Sequence, residues 1–346
     1  MDKNKLLSSL FLIIVFMTIV VFSCFLTSSL EYAVRDEILV NNFLGPEAKS
    51  FKIIPEEDAA NWPRALFEIP EHCVISKPLD ILGSTVGIYI SGSVDIIPEM
   101  KEGRFFNERD FAAGGKYAVV GEKILPDTLA KNDKRFYIFE NQEYEVIGVM
   151  KNRNADDWLG YRSYLNLKAL TGNIDYLWVD HFGIDAGDKT HTVYVQLKSG
   201  IEQEGMQFKS ASIDMIESPL LSVMRKKSFE IMMFTLVFVI FAVNTISVTG
   251  YWLDRKRLEI GVKKCCGANS YQIAFGVIKE IMVIALFSFG CGMVLYAIIS
   301  YALYRRIDLY FFSMLMTMGI VVASSILTSA YPIIKAAKIE PVHMMR

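Results

Sequence analysis

The stretch IMMFTLVFVIFAVNTISVTGYWL, residues 231–253, contains no charged side chain. A helix needs about 20 mainly apolar residues to cross the hydrocarbon core of a bilayer, so this run predicts a transmembrane helix. Three more charge-free runs of similar length occupy residues 6–30, 281–304 and 309–334, in a chain that is 52% hydrophobic. The sequence therefore predicts an α-helical membrane protein with four transmembrane helices. Its net charge of −2 lacks the basic excess of nucleic-acid-binding proteins, so no nucleic-acid partner is expected.

The first run, residues 6–30, could instead be a secretory signal peptide, because Lys3 and Lys5 precede it. Its apolar core is longer than the stretch of about 7 to 15 residues that is usual in signal peptides. No A-x-A-like cleavage site lies cleanly at its end. We therefore expect this run to remain as a membrane anchor.

Basic residues next to the apolar runs predict which side of the membrane each connection occupies. Such residues are concentrated after the second run and also occur near both ends of the chain. With four spans these three segments share one side, which the positive-inside rule assigns to the cytoplasm. Basic residues at 225–227 and 305–306 oppose this orientation, but long translocated domains and arginines at a helix end escape the rule. Residues 31–230 are thus expected outside.

Residues 31–230 combine segments of β and α character, so we predict a mixed α/β domain on a helical stalk. Five segments rich in β-branched and aromatic residues predict strands: TVGIYISGSVDII from Thr85, KYAVVGE from Lys116, RFYIFE from Arg135, YEVIGVM from Tyr144 and HTVYVQLKSG from His191. ENQEY, from Glu140, predicts a hairpin turn, and GEKILPDTLA, from Gly121, predicts a short helix.

Two amphipathic segments flank this domain. EYAVRDEILVNNFL, residues 31–44, carries apolar residues at helical spacing, so the first span is expected to continue outward as a helix. The segment from Ile201 to Lys227 is expected to form a matching helix, with Pro219 as a kink or boundary. Together these helices would form the stalk.

No motif for nucleotide hydrolysis or hydrolytic catalysis occurs in the chain. It lacks the G-x-x-x-x-G-K-[ST] phosphate loop, the G-x-S-x-G elbow and the H-E-x-x-H zinc helix. The four histidines are scattered, and the adjacent Asp156 and Asp157 supply too few oxygens for calcium. Cys73 is the one cysteine within residues 31–230, so no internal disulfide is expected there. We expect a non-enzymatic chain without a metal or cofactor of its own.

The segment DRKRLEIGVKKCCGANSYQ, residues 254–272, connects the second and third runs. As a helix it has two stripes, an apolar one of Leu258, Val262, Cys265 and Cys266 and a charged one of Arg255, Glu259 and Lys263. Gly261 costs a helix about 1 kcal/mol relative to alanine, which predicts that another group comes close to it. Gly267 suits the left-handed position that ends a helix.

The residues alone leave several interpretations of this segment open. Cys265 and Cys266 could form a redox or metal site, but they lack C-x-x-C spacing and neighbouring ligands, which favours simple packing. The helix could also rest on anionic head groups as a basic amphipathic turn, which accounts for its lysines better than for its glycines. A tether and a surface gripped by another protein are the remaining alternatives.

LEIGVKKCCGANSYQIAFGVIKE, from Leu258, resembles the signature of FtsX/MacB-like ABC transporter permeases, with E-I-G, then G-A, then a glutamate at the next span. YPIIKAAKIEPVHMMR, from Tyr331, is similar to the C-terminal sequence of that family. EGRFFNERDF, YAVVGEKI and YEVIGVM resemble its extracytoplasmic domain. The resemblance implies that the following residues couple to an ATPase: Arg257, Leu258, Glu259, Gly261, Lys264, Gly267 and Ala268. It also implies that Glu280 marks the start of the third span.

The resemblance implies a permease subunit that forms a homodimer or heterodimer in a bacterial plasma membrane, with both termini in the cytoplasm. The ATPase, with its ATP and magnesium, is implied to be a separate chain that grips residues 254–272 as a coupling helix. ATP-driven closure would move the outer domain through the stalk and export or extract an amphipathic peptide, lipopeptide or lipoprotein.

Two other functions remain as alternatives. One is a non-transporting regulator that activates an extracellular enzyme or sensor, as the resemblance to the cell-division branch of the family implies. The other is a membrane-anchored adhesion module without nucleotide coupling.

The expected organisation is the following: 1–30, cytoplasmic N-terminus and first span; 31–230, MacB-like α/β domain with stalk helices; 231–253, second span; 254–272, coupling helix; 273–304, third span; 305–308, outer hairpin; 309–334, fourth span; 335–346, cytoplasmic tail.

Overall fold

The computed structural model describes residues 3–54, 62–69, 72–94, 96–152, 158–170, 181–211, 216–304 and 309–337. The chain divides into two compact units. The helical unit consists of Met1–Val34 and Val223–Arg346, and the sheet unit consists of Arg35–Ser222. Each unit is described below by itself.

The described residues contain eight α-helices and eleven β-strands. The helices are Lys3–Val40 (α1), Glu108–Ala112 (α2), Thr190–Gln203 (α3), Pro219–Lys226 (α4), Ser228–Arg255 (α5), Arg257–Cys265 (α6), Ser270–Tyr304 (α7) and Phe311–Ala337 (α8). The strands are Lys49–Ile54 (β1), Cys73–Pro78 (β2), Thr85–Ser91 (β3), Met100–Gly103 (β4), Tyr117–Gly121 (β5), Leu129–Lys131 (β6), Lys134–Phe139 (β7), Gln142–Met150 (β8), Ser163–Asn166 (β9), Phe182–Asp185 (β10) and Gln207–Ala211 (β11).

Four helices in the described part of the chain are long and apolar enough to cross a membrane: α1, α5, α7 and α8. They coincide with the four charge-free runs of the sequence. Lipid offers no hydrogen-bond partner, so a spanning backbone must satisfy its polar groups internally, and a continuous helix does this. The predicted fold class, an α-helical membrane protein with four spans and a mixed α/β domain, is confirmed.

Within the helical unit, α1 and α7 approach each other closely at Gly292. A β-carbon added to this residue would lie 2.7 Å from side-chain atoms of Val20, so the approach requires glycine. Ser288, one turn earlier, is buried, and its hydroxyl donates to the carbonyl of Ile284 at 2.8 Å. Gly290 is exposed and has no described neighbour within 4 Å of its β-carbon position. Gly292 therefore packs closely and Gly290 does not, because the two glycines point in different directions on the helix.

Polar contacts join α1 to α8 in the helical unit. The hydroxyl oxygens of Thr27 and Thr317 lie 3.0 Å apart. At the start of α8, the carboxylate of Glu31 accepts hydrogen bonds from the backbone N–H of Ser313 at 2.9 Å and from its hydroxyl at 2.7 Å. The first N–H groups of a helix have no partner within the helix, and the helix dipole favours a negative charge there. Glu31 therefore stabilises the start of α8 and fixes its position against α1.

The strands of the sheet unit form one mixed sheet, in the order β11-β1-β10-β2-β3-β9-β5-β8-β7-β6, with β4 paired to β8. The pairs β3–β9 and β5–β8 are parallel, and the other pairs are antiparallel. Every residue of β9 is buried, as are nearly all residues of β2 and β3, whereas β6 at the edge is exposed. Lys131 lies on the edge strand β6, where a charged side chain discourages pairing with another sheet.

Several predicted elements of this unit are present. Four of the five predicted strands correspond to β3, β5, β7 and β8. The ENQEY turn joins β7 to β8, and both Glu140 and Asn141 have positive φ, as the preferred two-residue hairpin turn requires. The helix α1 continues to Val40, as the amphipathic segment after the first run predicted.

The prediction of a strand at HTVYVQLKSG is wrong, because this segment lies within α3. The buried residues of α3 are Thr190, Val193, Leu197 and Ile201, which are spaced three or four apart. That spacing places them on one face of a helix, whereas a strand would bury alternate residues. The β-branched composition was outweighed by the burial that the helical period makes possible.

One further prediction needs correction. The segment from Ile201 to Lys227 is not one helix, because α3 ends at Gln203 and the chain then enters β11, which pairs with β1. Pro219 is a boundary, as predicted, since α4 begins there. The short helix predicted in GEKILPDTLA is a 3₁₀ helix at Leu125–Asp127, and the end of the segment lies in the edge strand β6.

Asp110 is a buried carboxylate that organises the turn before β5. It lies in α2, closes a capping box with Asn107 and binds the Arg104 guanidinium through two hydrogen bonds of 2.5 and 2.8 Å. Burial alone would raise the pKa of this carboxyl, but the hydrogen bonds from Arg104 and Asn107 outweigh burial and hold the pKa below its usual value. The ionised form is therefore the one that stabilises the fold.

We predict that Asp110→Asn lowers the free energy of unfolding by about 1–3 kcal/mol at pH 7, because it weakens charge-assisted hydrogen bonds to a buried group. The folded-state pKa is lowered, so this stabilisation is present above the unfolded pKa of about 3.9 and is lost as the pH falls through the folded pKa. Denaturant titration of the full chain in detergent, followed by tryptophan fluorescence, measures the difference. Asp127→Ala, at an exposed aspartate, is the control and should behave as wild type. A difference between Asp110→Asn and wild type that persists unchanged at pH 3 would contradict this account.

Candidate coupling site

The helix α6 lies in the connection between α5 and α7, where the sequence predicted an amphipathic helix. Lys256 forms the corner between α5 and α6. Its N–H donates to the carbonyl of Leu253 at 2.9 Å, and its own carbonyl accepts from Ile260 at 3.0 Å. The corner is therefore a tight, fully hydrogen-bonded turn.

The buried face of α6 differs from the predicted apolar stripe. Ile260 is 5% exposed and Gly261 is buried, whereas Val262 is 63% exposed and Cys265 and Cys266 are exposed. Ile260 belongs to a buried cluster of the helical unit with Trp252, Leu253, Ile273 and Val277.

Packing of Ile260 explains this difference. A helix turns by about 100° per residue, so packing Ile260 inward directs Val262 to the opposite side. The residues Val262, Cys265 and Cys266 of the predicted stripe are thus exposed, and the two cysteines do not pack within this chain as expected. Gly261 is buried, and the close approach of another group to it stays a prediction.

The exposed face of α6 carries a pair of opposite charges. Lys263 Nζ lies 3.1 Å from Glu259 Oε1, four residues earlier on the helix, as the predicted charged stripe requires. Val262 lies between these two residues in sequence. Arg257, Leu258 and Lys264 also lie in α6, but their side chains are outside the described part of the structure, as is the side chain of Arg255. Among the described residues of α6, the open face thus combines the apolar Val262 and Cys265 with an ion pair.

The end of α6 and the start of α7 are both capped. Gly267 has φ +88°, and the N–H of Ala268 donates to the carbonyl of Lys263 at 3.0 Å, which is the hydrogen bond of a Schellman motif. The predicted role of Gly267 in ending the helix is confirmed. The N–H of Asn269 then donates to the side chain of Gln272 at 3.1 Å, which stabilises the first turn of α7. Ala268 is half-buried against the core of the helical unit.

Lys256 ties the corner of α5 and α6 to α7 through an ion pair with Glu280. Its ammonium also lies 4.4 Å from the centre of the Trp252 ring, a cation–π contact. The side chain of Lys256 is 9% exposed and that of Glu280 is 46% exposed. Because a desolvated charge is costly without a partner, Glu280 and Trp252 together stabilise the buried ammonium. One side chain therefore connects three helices, α5, α6 and α7.

In the sequence, Lys256 is one of the basic residues after the second apolar run, and these residues predict orientation only. Its pairing with Glu280 spans 24 positions, and no local spacing rule joins residues so far apart. The sequence offered one signal for this pair. Glu280 is a carboxylate directly before an apolar run, and such a carboxylate needs a cation nearby. Several candidate cations lie in the connection, and the fold selects Lys256.

Other candidate residues do not form a site in the described structure. His191 Nδ1 lies 2.7 Å from Lys49 Nζ, and no group of three or more His, Cys, Asp or Glu among the described residues is placed to hold a metal ion. Asp156, Asp157 and His343 lie outside the described residues, as does the tail beyond Ala337 with Met345 and Arg346.

Comparison with known families gives two matches that do not overlap. Residues 231–341 match the family described as FtsX-like permease C-terminal. Residues 73–211 match the family described as MacB-like periplasmic core domain. The chain belongs to the FtsX/MacB-like permease family. Members of this family are membrane components that work with ABC ATPase partners.

Two solved structures are similar to part of this permease. One is the extracellular domain of the noncanonic ABC-type transporter YknZ from Gram-positive bacteria, at 13% identity and a TM-score of 0.28, covering 48% of the permease and 100% of that chain. The other is the periplasmic region of MacB from Actinobacillus actinomycetemcomitans, with the same identity, TM-score and coverage of the permease, and 90% of that chain. A comparison with curated proteins finds no match.

We predict that Glu280→Gln destabilises the permease more than Lys256→Met does. Glu280→Gln leaves a buried ammonium without its carboxylate, whereas Lys256→Met keeps an apolar stem over Trp252 and leaves Glu280 partly solvated. The cost of Glu280→Gln should be about 1–3 kcal/mol, below the 3–5 kcal/mol typical of a fully buried pair, because Glu280 is half-exposed.

Thermal unfolding of the variants in detergent measures this asymmetry. The double variant Lys256→Met with Glu280→Gln should be more stable than Glu280→Gln alone, since it contains no unpaired buried charge. Additive losses in the double variant would show that the two side chains do not interact.

Proposed function

We propose that this permease couples ATP hydrolysis by a separate ABC ATPase to mechanical movement of its extracytoplasmic domain, residues 31–230. The helix α6 is the coupling helix, and it docks on the ATPase through its open face. The cargo is an amphipathic peptide, lipopeptide or lipoprotein, which is exported or extracted from the outer leaflet. ATP and magnesium bind to the partner, and the permease itself holds no cofactor.

The observation that carries this proposal is that α6 is held on one side and open on the other. Ile260 and the Lys256–Glu280 pair fix its inner side, and the caps at Gly267 and Asn269 fix its end. Its outer side presents Val262, an exposed apolar residue, beside the Glu259–Lys263 pair. An apolar centre with a polar rim is the usual arrangement of a protein interface. A helix fixed in this way transmits a push from a partner to α5 and α7 instead of yielding to it.

Orientation and assembly belong to the same proposal. The basic residues around α6 support a cytoplasmic location for this helix and for both termini, in a bacterial plasma membrane. The domain of residues 31–230 then lies outside. A second permease subunit, identical or different, completes the transporter in the lipid bilayer.

Within the coupling segment, Gly261 and Gly267 shape the helix, Ala268 packs at its end, and Glu259 faces the ATPase. Arg257, Leu258 and Lys264 are proposed to add to the docking face.

We predict that Val262→Glu weakens co-purification of the ATPase at least about tenfold, because it places an unpaired charge at the centre of the docking face. The substitution lies on the open side of α6, so the folded yield should not change. Co-expression of the permease with an ABC ATPase from the same organism, followed by affinity purification from detergent, measures retention.

Val195→Glu is the matched control, since Val195 is an exposed valine on α3 in the sheet unit. It should retain the ATPase as wild type does. Equal retention of the ATPase by Val262→Glu and wild type, with unchanged stimulation of ATP hydrolysis, would rule out α6 as the coupling helix.

Transport and regulation give different results in a reconstituted system. We predict that the complex of permease and ATPase in liposomes releases a fluorescent lipopeptide in an ATP-dependent manner, and that Val262→Glu abolishes the release. The ATPase with a Walker-motif lysine substitution serves as the control without hydrolysis. ATP-driven activation of a secreted hydrolase without lipopeptide release would instead assign the permease to the regulators of its family.

A further inference from the structure

The end of α1 in the sheet unit is joined to the middle of the sheet by a buried arginine. α1 ends in a Schellman motif, in which Phe43 N–H donates to the Ile38 carbonyl at 2.8 Å and Asn42 N–H donates to the Leu39 carbonyl at 3.1 Å. Asn42 has φ +55°, the left-handed conformation that this motif requires. The helix α1 thus ends sharply at Val40, and its last carbonyls point along the helix axis.

Arg162 lies next to these last carbonyls. Its Nη1 donates to the carbonyls of Leu39 at 3.4 Å and Val40 at 3.3 Å. Its Nε and Nη2 both donate to the carbonyl of Gly83, in the turn between β2 and β3, at 3.2 and 2.8 Å. One guanidinium therefore binds the helix end and a sheet turn together. A positive charge at a helix C-terminus is favoured by the helix dipole, and the planar fork of arginine fits several carbonyls at once.

Arg162 is itself held in place from two sides. It is 9% exposed, and its guanidinium lies 4.4 Å from the centre of the Trp158 ring. It immediately precedes β9, whose residues pair with β3 on one side and β5 on the other. The backbone carbonyl of Arg162 also accepts from Gly121 N–H at 2.7 Å. The guanidinium is thus anchored to the central strands of the sheet.

Tyr164, two residues later in β9, makes a second connection to the same helix end. Its hydroxyl donates to the Leu39 carbonyl at 3.4 Å, and its ring packs against Phe43 and Phe105. Burial raises the pKa of Tyr164 to about 12, so the phenol stays protonated and able to donate.

Helix α4 contacts α1 at Glu37, three residues before α1 ends at Val40. The hydroxyl of Ser222 in α4 donates to Glu37 of α1 at 2.9 Å. Since α1 is one continuous helix from Lys3 to Val40, a displacement along it reaches the sheet through the groups at its end. Arg162 contacts the end of α1 at 3.3 and 3.4 Å and the Gly83 carbonyl at 2.8 and 3.2 Å.

We propose that Arg162 is the positioning residue through which movement of α1 reaches the sheet, because its guanidinium joins the last carbonyls of α1 to Gly83 and β9. This inference rests on the proposed function, since it concerns how the movement driven by the ATPase is transmitted. A buried arginine that only filled space could be replaced by an apolar residue of similar size. A transmitting arginine could not, because the apolar residue loses the donors that grip the helix end.

The test measures movement and stability separately in the full complex with its ATPase. Two fluorophores are introduced through unnatural amino acids at Asn132, in the turn between β6 and β7, and at Phe311, the exposed first residue of α8. The change in energy transfer on ATP binding reports movement, and thermal unfolding reports stability. The variants compared are Arg162→Met, Arg162→Lys and Tyr164→Phe, with Arg109→Met, at an exposed arginine of α2, as the control.

The expected result is loss of the ATP-dependent change in Arg162→Met, partial loss in Arg162→Lys and a smaller loss in Tyr164→Phe. ATPase binding should be unchanged in all three, since α6 is intact, and Arg109→Met should behave as wild type. A folded Arg162→Met variant that keeps the full ATP-dependent change would overturn the proposed role of Arg162 and leave the proposed function standing.

Two further outcomes are informative. If wild type itself shows no ATP-dependent change, both the proposed function and the proposed role of Arg162 are overturned. If Arg162→Met does not fold, Arg162→Lys decides in its place, because it keeps the charge but lacks the fork that binds several carbonyls. A full ATP-dependent change in energy transfer in Arg162→Lys would then overturn the proposed role of Arg162.

Discussion

The lack of water in a bilayer is the constraint on which the rest of this permease depends. Every backbone N–H and C=O in the lipid must find its partner within its own helix, so α1, α5, α7 and α8 are continuous over their apolar lengths. Changes of chain direction must then occur outside the lipid, where hydrogen-bond partners are available. The corner at Lys256 and the capped ends at Gly267 and Asn269 are the described result on one side.

Charged and polar groups near the helix ends fix the arrangement of the helices, which apolar surfaces alone do not specify. In lipid, apolar side chains give little preference for one helix neighbour over another, so specific contacts have to fix the arrangement. The Lys256–Glu280 pair fixes α6 and α7, and Glu31 fixes the start of α8 against α1. Each contact joins two helices near the ends of their apolar runs. The Lys256–Glu280 pair also holds α6 with Val262 exposed, so packing of the helical unit decides which face of α6 is open.

The sheet unit is held together differently, because it is built on a large mixed sheet. Its central strands are buried on both faces, and its edge at β6 is exposed and carries charge. Aromatic side chains around Phe43, Phe105 and Tyr164 pack where the end of α1 meets the sheet. Arg162 adds directional contacts to this apolar packing. Apolar packing has no preferred direction, whereas the hydrogen bonds of Arg162 to the carbonyls of Leu39 and Gly83 define one.

The sequence by itself determined the four membrane helices, the hairpin at Glu140 and Asn141, and the end of α6 at Gly267, because length, composition and backbone preference act locally. Tertiary structure alone decided that His191–Gly200 is helical, that Ile260 and not Val262 is buried, and that Lys256 pairs with Glu280. Each of these outcomes depends on residues distant in the chain. A local pattern defines the faces that a helix or strand offers, and only the folded neighbours decide which face is covered and which charge is paired.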